Sequence, residues 1–150
     1  MSLQEYLLKK DYYSIPLKKT KTNHFSLHAK INGVKGYFIL DTGASNTCIG
    51  LELVEKFKLK AEESETKAAG AGATEMDTQQ ASDVKIKIGK WKYYNLHLVL
   101  FDLSHVNTAL INNLVKPVDG IIGADVLEKG KAIIDYKKKR LYLKKKLFLY

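Results

Sequence analysis

The chain predicts a mainly β fold, a small closed barrel-like domain with one or two short helices, and three observations carry that expectation. Short apolar or alternating runs recur along its 150 residues, most of them ending at a Gly, Asn or Lys-rich turn signal. The Asn32-Gly33 pair stands between the alternating Leu27, Ala29, Ile31 and an apolar return over 34–40, which is the strongest short-range hairpin signal in the chain. No internal repeat and no linker interrupts the sequence, and its length suits one domain.

The elements follow in order. Leu3, Tyr6 and Leu7 are spaced for one face of a short amphipathic helix, and Tyr13, Ile15 and Leu17 then alternate up to the basic Lys18-Lys19-Thr20-Lys21. Residues 1–20 are expected to form an N-terminal extension and 21–150 the domain proper. After the hairpin over 27–40, Leu51, Val54 and Phe57 at helical spacing predict a short helix over 50–57. Val84-Lys85-Ile86-Lys87-Ile88 alternates as a strand, Gly89-Lys90 turns, and 96–101 reads as a buried strand. A hairpin over 132–136 and 140–143 closes the chain through Lys137-Lys138-Lys139.

One run carries more than structure. Tyr37-Phe38-Ile39-Leu40 is a buried strand that stops at a carboxylate, Asp41, and turns through Thr42-Gly43-Ala44-Ser45. A strand of that kind holds the loop backbone from behind, and Gly43 permits tight turning and close approach by another backbone. Taken alone, Asp-Thr-Gly is an ordinary polar turn. A second segment downstream, Val118-Asp119-Gly120-Ile121-Ile122-Gly123-Ala124-Asp125-Val126-Leu127, changes the weighing.

Together the two segments resemble the active-site signature of aspartic peptidases. The triplet occurs once, so the resemblance is to the single-lobe, retropepsin-like branch, an acid-protease lobe whose two-lobed relatives carry the triplet twice. It implies that Asp41 is the catalytic residue, that Thr42, Gly43, Ala44 and Ser45 support its loop, and that Ile121, Ile122 and Gly123 pass behind it before a short helix from 124 to 129 bearing Asp125. The chemistry of this family needs two carboxylates sharing one proton, so a chain with one implies a homodimer acting on a peptide or protein substrate. No cofactor and no metal is implied.

The resemblance also places a flap hairpin at the glycine-rich Ala69-Gly70-Ala71-Gly72-Ala73-Thr74, where small residues suit a lid lying close to a peptide backbone. Residues 119–143 look most similar to the cellular retropepsin-like domains, among them those of the DNA-damage-inducible proteins. Viral members pair an acidic residue two places after the triplet with an arginine after the second motif. Ser45 and Ala124 hold those positions here, so that ion pair is missing. Residues 15–17 and 147–150 are candidate dimer contacts by the same likeness.

Other functions fit less well. The first ten residues lack the apolar core of a secretory signal, and no apolar span approaches the ~20 residues of a membrane helix, so the expected location is cytoplasmic. The single Cys48 excludes an intrachain disulfide and is expected to be a small buried residue. His24, His28, His97 and His105 show no metal-ligand spacing. A net charge of +9, densest at 137–140 and 144–146, invites a nucleic-acid reading. Lysines at a turn and a terminus more often solvate an edge strand, and no recognised nucleic-acid motif accompanies them. The leading expectation is a homodimeric aspartic endopeptidase. The alternatives are a noncatalytic peptide-binding dimer of the same fold and, further off, a basic nucleic-acid-associated β-domain.

Overall fold

A computed structural model describes residues 1–70 and 73–146, with the side chains of 1–63 and 78–146. Along the chain run α1 (Leu3–Lys9), β1 (Tyr12–Pro16), β2 (Lys18–Lys19), β3 (Phe25–Ile31), β4 (Val34–Leu40), β5 (Cys48–Gly50) and a single 3-10 turn (Leu51–Leu53). The order continues with β6 (Glu62–Gly70), β7 (Ala73–Ile88), β8 (Trp91–Phe101), α2 (Ser104–Asn112), β9 (Gly120–Ile122), α3 (Ala124–Lys129), β10 (Ile133–Asp135) and β11 (Arg140–Lys144).

Alternation in the sequence becomes an inside and an outside. In β3, Phe25, Leu27, Ala29 and Ile31 are buried while His28 and Lys30 face solvent, the period-2 pattern of a half-buried strand. Neighbouring strands run β3-β4-β9-β5-β8-β7, and β7 pairs back onto β3 through Lys30↔Lys87 and Ile31↔Ile86. That last pairing closes a six-strand barrel. Phe38, Ile49, Phe57, Ile86, Trp91, Leu98 and Ile122 fill its core.

The end of β4 is buried on both faces. Phe38 and Leu40 point into the barrel, while Ile39 joins Leu110, Val115 and Val118 in a second cluster beneath α2. Burial on two sides explains why 37–40 reads as a continuous apolar run rather than an alternating one. The short β9 lies beside it, parallel to β4 and antiparallel to β5.

A three-strand sheet, β1-β11-β10, packs onto the barrel. Ile15 and Leu17, expected as candidates for a dimer contact, are buried in the protomer's own core together with Leu141 and Leu143, so their apolar surface is already covered. Only Leu7 of the expected helical face is buried in α1, and Leu3 and Tyr6 stay exposed. Residues 147–150, the other candidate contact, lie outside the described residues.

One expectation about helices is corrected, and one helix has no counterpart in the sequence reading. The helix expected over 50–57 is instead a 3-10 turn over Leu51–Leu53 continued by irregular turns to residue 58, with Gly50 taken up as the last residue of β5 and Lys58, at a left-handed φ of 54°, where the chain leaves the turn. Phe57 nevertheless reaches the core. Conversely, α2 was not anticipated: its Asn, Thr, Ser and His content is weak in helix propensity, and Leu110 is its one fully buried residue. Among the described residues no helix is long and apolar enough to cross a membrane.

Candidate active site

β4 ends by handing Asp41 to β9. The parallel register Phe38↔Gly120, Ile39↔Ile121, Leu40↔Ile122 continues one step further, where the Asp41 N–H donates to the Ile122 carbonyl at 2.9 Å. The loop then folds on the carboxylate itself: the Gly43 N–H donates to Asp41 Oδ1 at 2.9 Å, and the Ala44 N–H to the Asp41 carbonyl at 3.2 Å. A Cβ on Gly43 would lie 3.2 Å from that Oδ1, so glycine gives the carboxylate its room. Asp41, Thr42, Gly43 and Ser45 are all exposed in the protomer, and Ala44 is half-buried.

The loop is braced from behind by a buried polar knot. Thr47, fully buried, donates its hydroxyl to Asp125 Oδ1 at 2.7 Å and accepts the Gly123 N–H at 3.0 Å. Its own N–H reaches both Asp125 oxygens at 3.0 Å, and the Val126 N–H adds a third donor at 2.8 Å. The Ala124 N–H donates to the Ala44 carbonyl at 2.7 Å, tying α3 directly to the Asp41 loop. Each hydrogen bond to a charged group is worth about 1.5–3 kcal/mol, and the larger cost is that of leaving the buried group without its partner.

Two glycines make this crossing possible. A Cβ on Gly120 would stand 2.2 Å from the Cys48 carbonyl and 2.9 Å from the Phe38 ring. One on Gly123 would stand 2.6 Å from the Ala44 carbonyl. Beside them, Asp119 accepts the Tyr37 N–H at 2.9 Å and pairs with the Lys56 ammonium at 3.4 Å, which secures the start of β9 against β4.

Asp41 opens onto a cleft of about 580 Å³ walled by Ile39, Cys48, Phe101, Val106 and Leu110. A smaller depression of about 220 Å³ lies on its other side, between Thr42, His24 and Tyr136. Among the described residues Asp41 is the carboxylate that lines both. Burial pushes the Cys48 thiol up to about 12; Asp125 and Asp41 add to that shift and a hydrogen bond with the Ile121 backbone opposes it. It therefore stays protonated and is no nucleophile at neutral pH. Among the described residues no group of His, Cys, Asp and Glu is arranged to hold a metal ion.

The residues singled out in sequence fall into two places. Asp41, Thr42, Gly43, Ala44 and Ser45 meet Ile121, Ile122, Gly123 and Asp125 at one end of the barrel. Ala69, Gly70, Ala73 and Thr74 sit at the far end of the β6–β7 hairpin, with Gly70 paired to Ala73, and Ala71 and Gly72 fall outside the described residues. That hairpin leaves the barrel next to the cleft, since Gln79 and Gln80 of β7 pair with Leu100 and Val99 of β8. Sequence reasoning missed Thr47 and the α2 wall. The only signal for Thr47 is a threonine shortly after the Asp41 loop, which means nothing until Asp125 is known to face it.

A family model described as aspartyl protease matches residues 27–126, a span that runs from the middle of β3 to the start of α3. The chain belongs to the aspartyl protease family. Solved structures agree on the fold. A retropepsin-like aspartic protease from Rickettsia conorii is 22% identical, with a TM-score of 0.57 over 88% of this chain and 90% of that one. The EIAV protease, solved with the inhibitor HBY-793, is 19% identical, with a TM-score of 0.58 over 79% and 98%. The retroviral protease-like domain of Ddi1 from Leishmania major is 18% identical, with a TM-score of 0.52 over 79% and 86%. No curated protein sequence matches the chain significantly. Within this aspartyl protease, the family match includes Asp41, the whole β6–β7 hairpin, β9 and Asp125.

Proposed function

We propose that this aspartyl protease is an endopeptidase that works as a homodimer, with Asp41 of each chain forming the catalytic pair. The observation that carries the reading is the placement of Asp41, an exposed carboxylate held by Ile122 and Gly43 at the mouth of a cleft to which, among the described residues, its own chain brings no second carboxylate. In the aspartic-protease mechanism water is activated by two carboxylates sharing one proton. A second copy of the same loop supplies the missing half.

In that dimer one carboxylate takes a proton from the attacking water while the other donates a hydrogen bond to the scissile carbonyl, and the roles reverse as the amine departs. Gly43 leaves its backbone open to substrate, and exposed Thr42 faces the partner's loop beneath the carboxylates. Because any apparent pKa belongs to the pair, the pH profile of turnover reports on the dimer rather than on either chain. The β6–β7 hairpin acts as the flap, with Ala69, Gly70, Ala71, Gly72, Ala73 and Thr74 at its tip, closing over bound peptide and excluding water. The reaction calls on no cofactor, and a cytoplasmic site of action is consistent with a lone reduced thiol.

The test is mass-spectrometric digestion of a diverse peptide library from acid to neutral pH, comparing wild type with Asp41→Asn after sedimentation has established the oligomeric state of both. Cleavage by a wild-type dimer that disappears in the variant supports the reading. A dimer that binds peptides and cuts none makes the protein a peptide-binding module instead, and a monomer under all conditions removes the second carboxylate from the mechanism.

A further inference from the structure

The barrel brings four lysines into one row. Lys35 of β4 stands opposite Lys30 of β3, Lys30 opposite Lys87 of β7, and Lys87 opposite Lys92 of β8. At a strand spacing of about 4.8 Å the row crosses roughly 14 Å of barrel surface. Like charges directly opposite one another destabilise a sheet, so the arrangement opposes the fold that creates it. All four side chains are exposed, and among the described residues none has a carboxylate within ion-pair distance.

The surroundings extend the row without neutralising it. Strands β3, β4 and β8, and 84–88 of β7, contain no acidic residue. Two shallow depressions of about 220 and 300 Å³ flank the Lys30 and Lys87 pair and share both residues. Tyr94, 47% exposed, lines the first of them and lies 5.8 Å beneath the Lys85 ammonium. His28, stacked at a tilt on Tyr37, stands at the edge of the second. A line of uncompensated cations that can follow a chain of phosphates, beside an exposed aromatic ring, is the combination that binds single-stranded nucleic acid without sequence preference.

We propose that this face of the barrel binds single-stranded nucleic acid, with Lys35, Lys30, Lys87 and Lys92 tracking the phosphates and Tyr94 stacking a base. The surface lies at the Asn32-Gly33 end of β4, six residues and about 20 Å along the strand from Asp41. Binding there leaves the Asp41 cleft open, and the inference does not depend on peptidase activity. Charge complementarity selects the class of partner; the aromatic ring beside the lysines favours a nucleic acid over a lipid surface.

Fluorescence anisotropy with a labelled single-stranded RNA of mixed sequence, titrated at several salt concentrations, tests this. Wild type is expected to bind at low salt and to weaken steeply as salt rises. The combined Lys30→Gln, Lys35→Gln, Lys87→Gln and Lys92→Gln variant should lose that binding, with the slope of log affinity against log salt falling by roughly 0.7 for each phosphate contact removed. Tyr94→Ala should weaken affinity roughly tenfold with the slope unchanged. The combined variant removes only exposed like charges, and its melting curve should match or exceed that of wild type. Failure of wild type to bind, equal binding by the combined variant, or an equal loss from Lys137→Gln, Lys138→Gln and Lys139→Gln at the β10–β11 tip each overturns the proposal. So does capture on phosphatidylserine vesicles with no oligonucleotide binding, which would make the face a membrane contact.

Discussion

The Thr47 hydroxyl donates to Asp125 across 2.7 Å while accepting the Gly123 N–H, so one buried oxygen joins the loop after Asp41, the end of β9 and the first turn of α3. Asp125 collects its other hydrogen bonds from the Thr47 and Val126 backbones. The candidate active site thus rests on an acid that never faces the cleft.

Thr47→Val keeps the shape and removes the hydroxyl, leaving the Gly123 N–H without a partner and Asp125 short of its closest donor. The expected loss is about 2 kcal/mol of unfolding free energy, measured by urea denaturation. Thr47→Ser retains both bonds and should lose less than half as much. Equal losses from the two variants would mean that packing of the Thr47 methyl, not its hydroxyl, holds the loop.

Gly120→Ala places a methyl group 2.2 Å from the Cys48 carbonyl, a contact with backbone that no side-chain rotation relieves. Overpacking usually costs about 1–3 kcal/mol, and here the expected effect lies at or beyond the top of that range, read as a lowered urea midpoint or failure to accumulate soluble protein. Gly33→Ala meets nothing within 4 Å, although its φ of 83° makes it strained. It should cost about 1 kcal/mol. A reversed order would overturn the account of β9 as a strand wedged between β4 and β5.

Asp119 and Lys56 form an ion pair with the lysine well exposed, so its net contribution is small. The Asp119 carboxylate also takes the Tyr37 N–H. Lys56→Ala should change stability by less than about 0.5 kcal/mol, whereas Asp119→Ala should cost about 1–2 kcal/mol by stranding that N–H. Chemical denaturation of the two variants side by side separates the backbone role from the surface pair.

Cys48 has its thiol raised to about 12 by burial, above the ordinary thiol range near 8.5. Native protein at pH 8 should resist thiol-reactive reagents and become labelled on unfolding. The unfolded chain loses this proton at a lower pH than the native one, so the thiol's contribution to stability is complete below about pH 8.5 and is lost as pH rises toward 12. Cys48→Ala should accordingly show a shallower fall in stability than wild type across that interval, followed by calorimetry.

Short-range patterns made much of this molecule legible. The β3–β4 hairpin follows from Asn32-Gly33 and flanking alternation, the Asp41 turn follows from the apolar run that ends there, and α3 was expected from the family resemblance. The helix expected over 50–57 was misread because helical spacing of Leu51, Val54 and Phe57 also serves a chain that turns sharply between two buried anchor points. α2 escaped notice for the opposite reason: its residues have weak helix propensity, and it is held by packing of Leu110 onto Ile39, Val115 and Val118.

The sequence by itself determined the fold class and the carboxylate at the end of β4, since hydrophobic period and turn chemistry are properties of neighbouring residues, while the passage of 121–123 behind that carboxylate was implied by the family resemblance. Only the tertiary structure decided that Thr47 meets Asp125, that Ile15 and Leu17 lie in the core, and that Lys35, Lys30, Lys87 and Lys92 form one row. Those relationships depend on strand register and barrel closure, which bring together residues far apart in the chain and are set by the packing of the whole core.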